Sequence, residues 1–415
     1  MNEILFFGQN HLSTLLKNEP KIIFKPIHIN FVDKDGNEIE RKIKKISTGY
    51  FSTIFLFEDG EVIEERRSTE TSTIEFSNIK DVEIGYRNQA ILTYEGNVFA
   101  KGKDINPENP NEFINISSLI EDPNGRIIQD IVCSSQSIYL LNSKGNAYGI
   151  GDNLYGQLGF DSFKSTEKPI LMMKNVSKMF SGKFADHAFL LNSNQELFGF
   201  GNNAAGQIGL GEEATITRSV KKFAKLKKKI PKGKIIDIQC GYSHSIMLIE
   251  DQNEDQNEDP KRKLYSCGNY AYNGLDKRQH ESKFTEITSP LFDDNSILEI
   301  SVGRYHTLIL TTNKKLLGFG SNDYGQLRFE NTAPQPIPIQ IDLPYLAFED
   351  ISNYRICCGY SNSFLYYSLS FSNLEEDLIK LCKRKEFCDI SFKTQDGEII
   401  EAHKLILKYR LKRSK

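Results

Sequence analysis

Along most of the chain, short runs of alternating apolar and polar positions are interrupted every few residues by Gly, Asn or Asp. The clearest stretch is Ile236-Asp237-Ile238-Gln239-Cys240-Gly241-Tyr242-Ser243-His244-Ser245-Ile246-Met247-Leu248. Period-two alternation rich in β-branched and aromatic side chains, bounded by turn residues, predicts β-strands. In the second run both faces are apolar, Ile246 and Leu248 on one and Met247 and Ile249 on the other. Strands of that kind are packed on both sides, which predicts sheets stacked against neighbouring sheets.

This landmark recurs. Ile300 to Leu310, with Gly303 and His306, matches it, as do the segments that begin at Gly49, Gly85 and Gly359. Cys133 to Leu141 carries Ser134 at the glycine position, and Ser181-Gly182 to Leu191 fits with two extra residues before His187. Seven copies result. A second landmark follows several of them after a further strand: Gly151 to Gly159 with Gly156 and Gln157, Gly201 to Gly209 with Gly206 and Gln207, Gly320 to Leu327 with Gly325 and Gln326, and more weakly Gly268 to Leu275. Such internal periodicity predicts a repeat architecture. The glycines are expected where backbone angles are closed to other residues, and the Gln and Asn side chains where they satisfy buried loop amides. Gly8-Gln9-Asn10 begins the second landmark without a first, and Gly359 begins a first without a second. The two half-units would combine into one sheet and close a ring with no open edge.

The paired landmarks resemble the repeat of the regulator of chromosome condensation family. That resemblance implies an all-β, seven-bladed β-propeller over residues 1–370, closed by N- and C-terminal strands. The match is strongest between 128 and 330. Between 44 and 110 the strand turns remain, but the glycine–glutamine loop is lost. Residues 371–387 read as a short amphipathic linker helix. Residues 388–415 resemble the opening of a BTB/POZ domain, a partial α/β segment in which Asp396-Gly397 turns a hairpin and a helix begins at His403. The sequence stops at Lys415, inside that pattern, and its tail is expected to be poorly packed.

Composition narrows the chemistry. The chain has 415 residues and a formal charge of −3, which disfavours whole-chain attraction to nucleic acid or an anionic membrane. Seven scattered cysteines with no C-x-x-C pair argue against a disulfide framework or zinc site and for a reducing compartment. No apolar run reaches membrane-spanning length. A soluble cytoplasmic or nuclear protein is expected. His187, His244 and His306 occupy one repeat position, where other units carry Ser52, Asn88, Ser137 and Asn362. Equivalent positions in different units are not expected to converge, so a hydrogen-bonded polar group inside each blade is preferred to a metal or catalytic site. Gly151 to Gly156 lacks the Lys-Ser/Thr of a phosphate loop. No nucleophile motif is present, and neither catalytic residues, cofactor nor metal is expected.

Two insertions stand out. One carries Lys221, Lys222, Lys225, Lys227, Lys228, Lys229, Lys232 and Lys234, a solvated loop or a contact for an acidic partner, a phosphate backbone or a nuclear import receptor. The other, Glu250 to Pro260, is acidic and low in complexity. The expected function is that of an intracellular protein-interaction scaffold. The BTB resemblance implies substrate recruitment to a cullin-type ubiquitin ligase. The alternative implied by the propeller resemblance is guanine-nucleotide exchange on a Ran-like small GTPase, although no segment matches the loop such an exchanger would insert.

Overall fold

Seven four-stranded antiparallel sheets form among the described residues of the computed structural model. Those residues are 4–10, 12, 15–17, 19–32, 38–39, 41–67, 72–211, 219–226, 230–251, 261–292, 297–328, 332–343, 353–368, 390–393 and 399–402. Blade 1 comprises Ile43–Thr48, Ser52–Phe57, Val62–Arg66 and Ser72–Thr73. Blade 2 comprises Ile79–Ile84, Asn88–Thr93, Val98–Gly102 and Ile114–Asn115. Blade 3 comprises Ile128–Cys133, Ser137–Asn142, Ala147–Gly151 and Thr166–Met173. Blade 4 comprises Val176–Phe180, His187–Asn192, Leu197–Asn202 and Ser219–Lys225. Blade 5 comprises Lys234–Cys240, His244–Glu250, Arg262–Gly268 and Glu281–Glu286. Blade 6 comprises Ile297–Val302, His306–Thr311, Leu316–Gly320 and Gln335–Ile341.

Blade 7 is shared between the chain's two ends. Tyr354–Cys358 and Asn362–Tyr367 supply its inner strands, Ile4–Gln9 and Ile22–His28 its outer ones. The joint is the antiparallel pairing of Leu5 with Leu365 and Phe6 with Phe364. Phe6, Phe7 and Phe364 are fully buried, and Phe6 meets Phe364 edge-on at 5.0 Å. This is the closure expected from the two half-units. The seven sheets pack face to face through apolar clusters between adjacent blades, such as Phe189, Ile208, Met247 and Phe284 between blades 4 and 5. Both faces of the second strands are buried, as the pattern of Ile246 to Ile249 requires.

The innermost strands surround a narrow central cavity of about 280 Å³, lined from every blade. In blades 1 to 6 this strand has a register shift near its start, at Lys45, Asp81, Asp130, Lys178, Asp237 and Glu299. A bulge re-aims side chains, and here each shift falls on a charged residue of the inner strand. Lys45 bonds both Asp81 at 2.8 Å and Glu83 at 2.6 Å.

The chain divides into two units, residues 1–368 and 369–415. In the second, Ile390–Lys393 pairs with Ile399–Ala402 in a hairpin. The expected linker helix over 371–387, the helix start at His403, Cys382, Cys388 and the basic tail lie outside the described residues, as does most of the acidic insertion. Among the described residues no helix is long and apolar enough to cross a membrane.

Candidate protein-binding face

Strand order decides which loops share a surface. Each blade is a meander, so the turn after its first strand and the loop after its third leave the same face of the ring. Both sequence landmarks therefore lie on one side.

The first landmark is a tight turn in which the glycine amide donates to the carbonyl three residues on: Gly241 to His244 at 2.9 Å, Gly303 to His306 at 2.8 Å, Gly359 to Asn362 at 2.9 Å. The polar side chain at that position folds back over the glycine. A Cβ on Gly241 would lie 2.1 Å from the His244 ring, which accounts for a glycine there without any unusual φ. In the second landmark the side chains do what the spacing predicts. Gln157, Gln207 and Gln326 accept from the amides of Tyr155, Ala205 and Tyr324, each at 2.9 Å. Asn153, Asn203 and Asn322 accept from Leu158, Ile208 and Leu327 at 2.8 to 3.0 Å. Gly201 needs its positive φ of 98°, and a Cβ there would meet the Asp186 carbonyl at 2.4 Å.

The histidines correct one expectation. Two of them, His187 and His306, do not bond within their own blade but bridge to the next. His187 of blade 4 reaches Ser245 of blade 5 at 2.7 Å, and His306 of blade 6 reaches Ser363 of blade 7 at 3.0 Å. Ser245 donates to the Gln207 carbonyl and Ser363 to the Gln326 carbonyl, at 2.7 and 2.9 Å. The serine proton is thus spent on a carbonyl, so His Nε2 must be the donor and Nδ1 the bare nitrogen. Burial pushes the pKa of each of His187, His244 and His306 down to about 3, so all three are neutral at physiological pH. At blade 5 the loop has lost its Gln and Thr307 replaces the serine; neither His244 ring nitrogen has a protein partner. Among the described residues no three His, Cys, Asp or Glu are grouped to hold a metal ion.

What the turns carry at their tips is the residue set that sequence reasoning missed. Tyr50, Tyr86, Phe184 and Tyr360, from blades 1, 2, 4 and 7, meet across the axis. Tyr50 lies 4.4 Å from Tyr360 and 5.3 Å from Tyr86, and Phe184 lies 5.7 Å from Tyr360. Blades 4 and 7 stand on opposite sides of the ring, so this contact spans one mouth of the central cavity. Arg304 of blade 6 lies over three rings, Tyr360 at 4.4 Å, Tyr305 at 4.6 Å and Tyr242 at 5.0 Å. Arg67 lies over Tyr50 at 5.0 Å and Arg87 over Tyr86 at 5.6 Å. Burial raises the Tyr305 and Tyr272 hydroxyls, and Arg304 offsets part of that, so the phenols are neutral and the face carries guanidinium charge. Phe51, Tyr155, Tyr242, Tyr270 and Tyr324 extend the aromatic surface and are exposed. The signal was present as the repeated Gly-Tyr pair at 49–50, 85–86, 241–242 and 359–360.

The lysine run is not a loop throughout. Lys221, Lys222 and Lys225 lie on the outer strand of blade 4, paired to the third strand through Gly201 with Val220 and Phe198 with Lys225. Lys221 sits 4.1 Å over Phe163, Lys222 pairs with Asp161 at 3.0 Å, and Lys225 pairs with Glu196. The outer strand of a sheet tolerates lysines because its free edge faces water. Lys234 opens the inner strand of blade 5, with Glu250 at 3.9 Å, and Lys232 precedes it. Lys227, Lys228 and Lys229 lie outside the described residues. Cys133, Cys240, Cys267, Cys357 and Cys358 are free and buried.

Comparison with known proteins agrees with this geometry. Residues 194–248 and 297–326 match the Regulator of chromosome condensation (RCC1) repeat. An RCC1 domain-containing protein of Dictyostelium discoideum is 27% identical over 182 residues, 37% of this chain and 32% of that protein. The Ultraviolet-B receptor UVR8 of Arabidopsis thaliana is 26% identical over 126 residues, 30% of this chain and 26% of the receptor. The chain thus spans a third or less of the length of these relatives. The crystal structure of Prp20p from Saccharomyces cerevisiae superposes with a TM-score of 0.70 at 17% identity, covering 92% of this chain and 94% of that one. Human WBSCR16 gives 0.69 at 17% identity, with 89% and 100% covered. Those two likenesses speak to fold alone. Repeat matches, blade count and strand order agree: this chain carries regulator of chromosome condensation repeats built into a seven-bladed β-propeller.

Proposed function

We propose that the chain is a protein-binding scaffold whose partner docks on the tyrosine–arginine face. The observation that carries this is the packing of Tyr242, Tyr305 and Tyr360 around Arg304, extended through Tyr360 to Tyr50 and Tyr86. Tyr and Arg are the residue types that dominate interface energetics, since each offers a large rigid contact area with a polar end. The rings are held in place by one another and by rigid turns, so binding orders little that is not already ordered. The guanidinium charge favours a partner surface with acidic groups beside apolar ones. The test compares recovery of specific partners by the parent chain, by Tyr360→Ala with Arg304→Ala, and by Lys144→Ala on the opposite face. Loss of about 2 kcal/mol, roughly 30-fold in affinity, is expected for the face variant and none for Lys144→Ala. Equal recovery by all three would reject the reading.

A second reading is supported by the likeness to Prp20p, which has been studied for binding to Gsp1p and histones and crystallised bound to Kap60. Under it, this chain accelerates release of fluorescent GDP from a Ran-like GTPase, and an unaccelerated rate removes it. Coupling to a cullin-type ligase is the finer part of the scaffold reading. It is supported by the antiparallel pairing of Ile390–Lys393 with Ile399–Ala402, which fits the two strands of a BTB opening, and is tested by co-purification with a cullin. The lysine run is a further candidate contact for an acidic partner, tested by changing its lysines to Gln.

A further inference from the structure

In blades 3, 4 and 6 the loop after the third strand packs down between its own blade and the next. Leu158, Ile208 and Leu327 are fully buried there. Blade 1 joins the same strands by a much shorter connection: the third strand ends at Arg66 and the fourth begins at Ser72, whereas blade 3 runs from Gly151 to Thr166. The place the loop would fill is a cavity of about 270 Å³ between blades 1 and 2, on the same face of the ring as the tyrosine–arginine cluster.

The walls of this socket preserve the inter-blade bond with altered chemistry. Ser52 stands where His187 and His306 stand in their blades, and Gln89 stands where Ser245 and Ser363 stand. Gln89 Nε2 donates to Ser52 Oγ at 2.8 Å and to Glu64 Oε1 at 2.5 Å. The carboxylate of Glu64 therefore replaces the missing loop carbonyl as acceptor. Because both bonds require the amide nitrogen, Gln89 Oε1 faces elsewhere; it is buried and without a protein partner. Lys101 reaches Glu64 at 3.1 Å and Arg66 reaches it at 2.9 Å. Arg87 adds a third cation to the lining. Burial raises Glu64, but the hydrogen bond from Arg66 and the charge of Lys101 outweigh it, so the carboxyl is ionised. Among the described lining residues, three cations, Arg66, Arg87 and Lys101, face one carboxylate, Glu64. Asp104 faces Arg87 from outside the lining, and Glu65 points the other way, accepting from the Leu15 amide.

We propose that this socket receives an acidic side chain on a loop of the docking partner, which takes the place that the longer loop fills in blades 3, 4 and 6. Phe51, Tyr86 and Arg87 belong both to the socket and to the aromatic face, so one partner surface covers both. Arg87 supplies forked donors for a carboxylate, and Gln89 Oε1 supplies an acceptor for a loop amide. The inference rests on the scaffold reading but is tested apart from it.

Random heptapeptides displayed on phage are selected on the full chain, and the best binder is measured as a capped, labelled peptide by fluorescence anisotropy. Peptides with Asp or Glu should be enriched. Arg87→Gln, at the rim and clear of the buried Glu64, should weaken binding 10-fold or more with unchanged circular dichroism and melting. Selection without acidic enrichment, or affinity indifferent to that change, overturns the proposal. So does a melting temperature raised by succinate when no acidic peptide binds, which would assign the socket to a free dicarboxylate. Loss of partner recovery in the Tyr360 and Arg304 variant with an indifferent socket would leave the face standing and remove only the socket.

Discussion

Gly241 shows how a single position can be dictated by a side chain three residues away. His244 closes over it, so an added Cβ would meet the ring at 2.1 Å. Gly241→Ala should cost about 1–3 kcal/mol, the range for forcing extra carbon into a packed site. The test is a double-mutant cycle by urea denaturation. Combined with His244→Ala, the glycine change should cost at least about 1 kcal/mol less than alone, because the ring it strikes is gone. Additive costs would mean that the turn backbone, and not the ring, demands glycine. Both members of this pair were legible in the sequence as a spacing. Their contact was not, because G-x-x-H does not say which way the imidazole folds.

At the scale of the element, the decisive feature is the last sheet. Ile4–Gln9 is held between Asn362–Tyr367 and Ile22–His28, and it buries Ile4, Phe6 and Phe7 completely or nearly so. At about 1.5–3 kcal/mol per large apolar side chain, those three alone rival the 5–15 kcal/mol net stability of a typical domain. Removing residues 1–30 would also leave Asn362–Tyr367 as an open edge. The truncated chain is expected to lose its cooperative melting transition and to aggregate, and a peptide of residues 1–30 added in trans should restore the transition. A truncated chain that stays monomeric with an unchanged Tm would contradict the closure. This element was legible from two incomplete landmarks at opposite ends of the chain. The lysine-bearing outer strand of blade 4 was not, because its charge pattern reads equally as a solvated loop and only pairing to Phe198 and Gly201 makes it a strand.

At the scale of the whole molecule, stability should be squeezed from both sides of pH. His187, His244 and His306 are held neutral, with pKa values pushed down to about 3 by burial. The unfolded chain takes up protons on these groups below about pH 6.5 and the folded chain does not. Their contribution is therefore complete above that pH and falls as pH drops toward 3, by about 1.4 kcal/mol per pH unit for each histidine. Glu299, bordering the central cavity, behaves oppositely. Burial raises it to about 8, with Arg355 opposing, so its contribution is complete at acid pH and lost as pH rises from the ordinary carboxyl range to 8. His306→Asn, the residue that Asn88 and Asn362 supply in other blades, should make the acid limb of stability against pH shallower. Glu299→Gln should do the same for the limb between pH 4.5 and 8. Variants whose profiles run parallel to the parent's would reject these assignments.

The sequence by itself determined the inner strands, their grouping into seven units and the closure of the ring, because alternation, turn glycines and loop glutamines act within a few residues of one another. Tertiary structure alone decided what the units do to each other. The bond from His187 to Ser245 crosses from one blade to the next, and no local spacing announces it. The rings of Tyr50, Tyr86, Phe184 and Tyr360 become one surface only when seven turns are bent around a common axis. The cavity between blades 1 and 2 lies beside a short connection, and its shape and lining come from neighbours on both blades that no local spacing brings together.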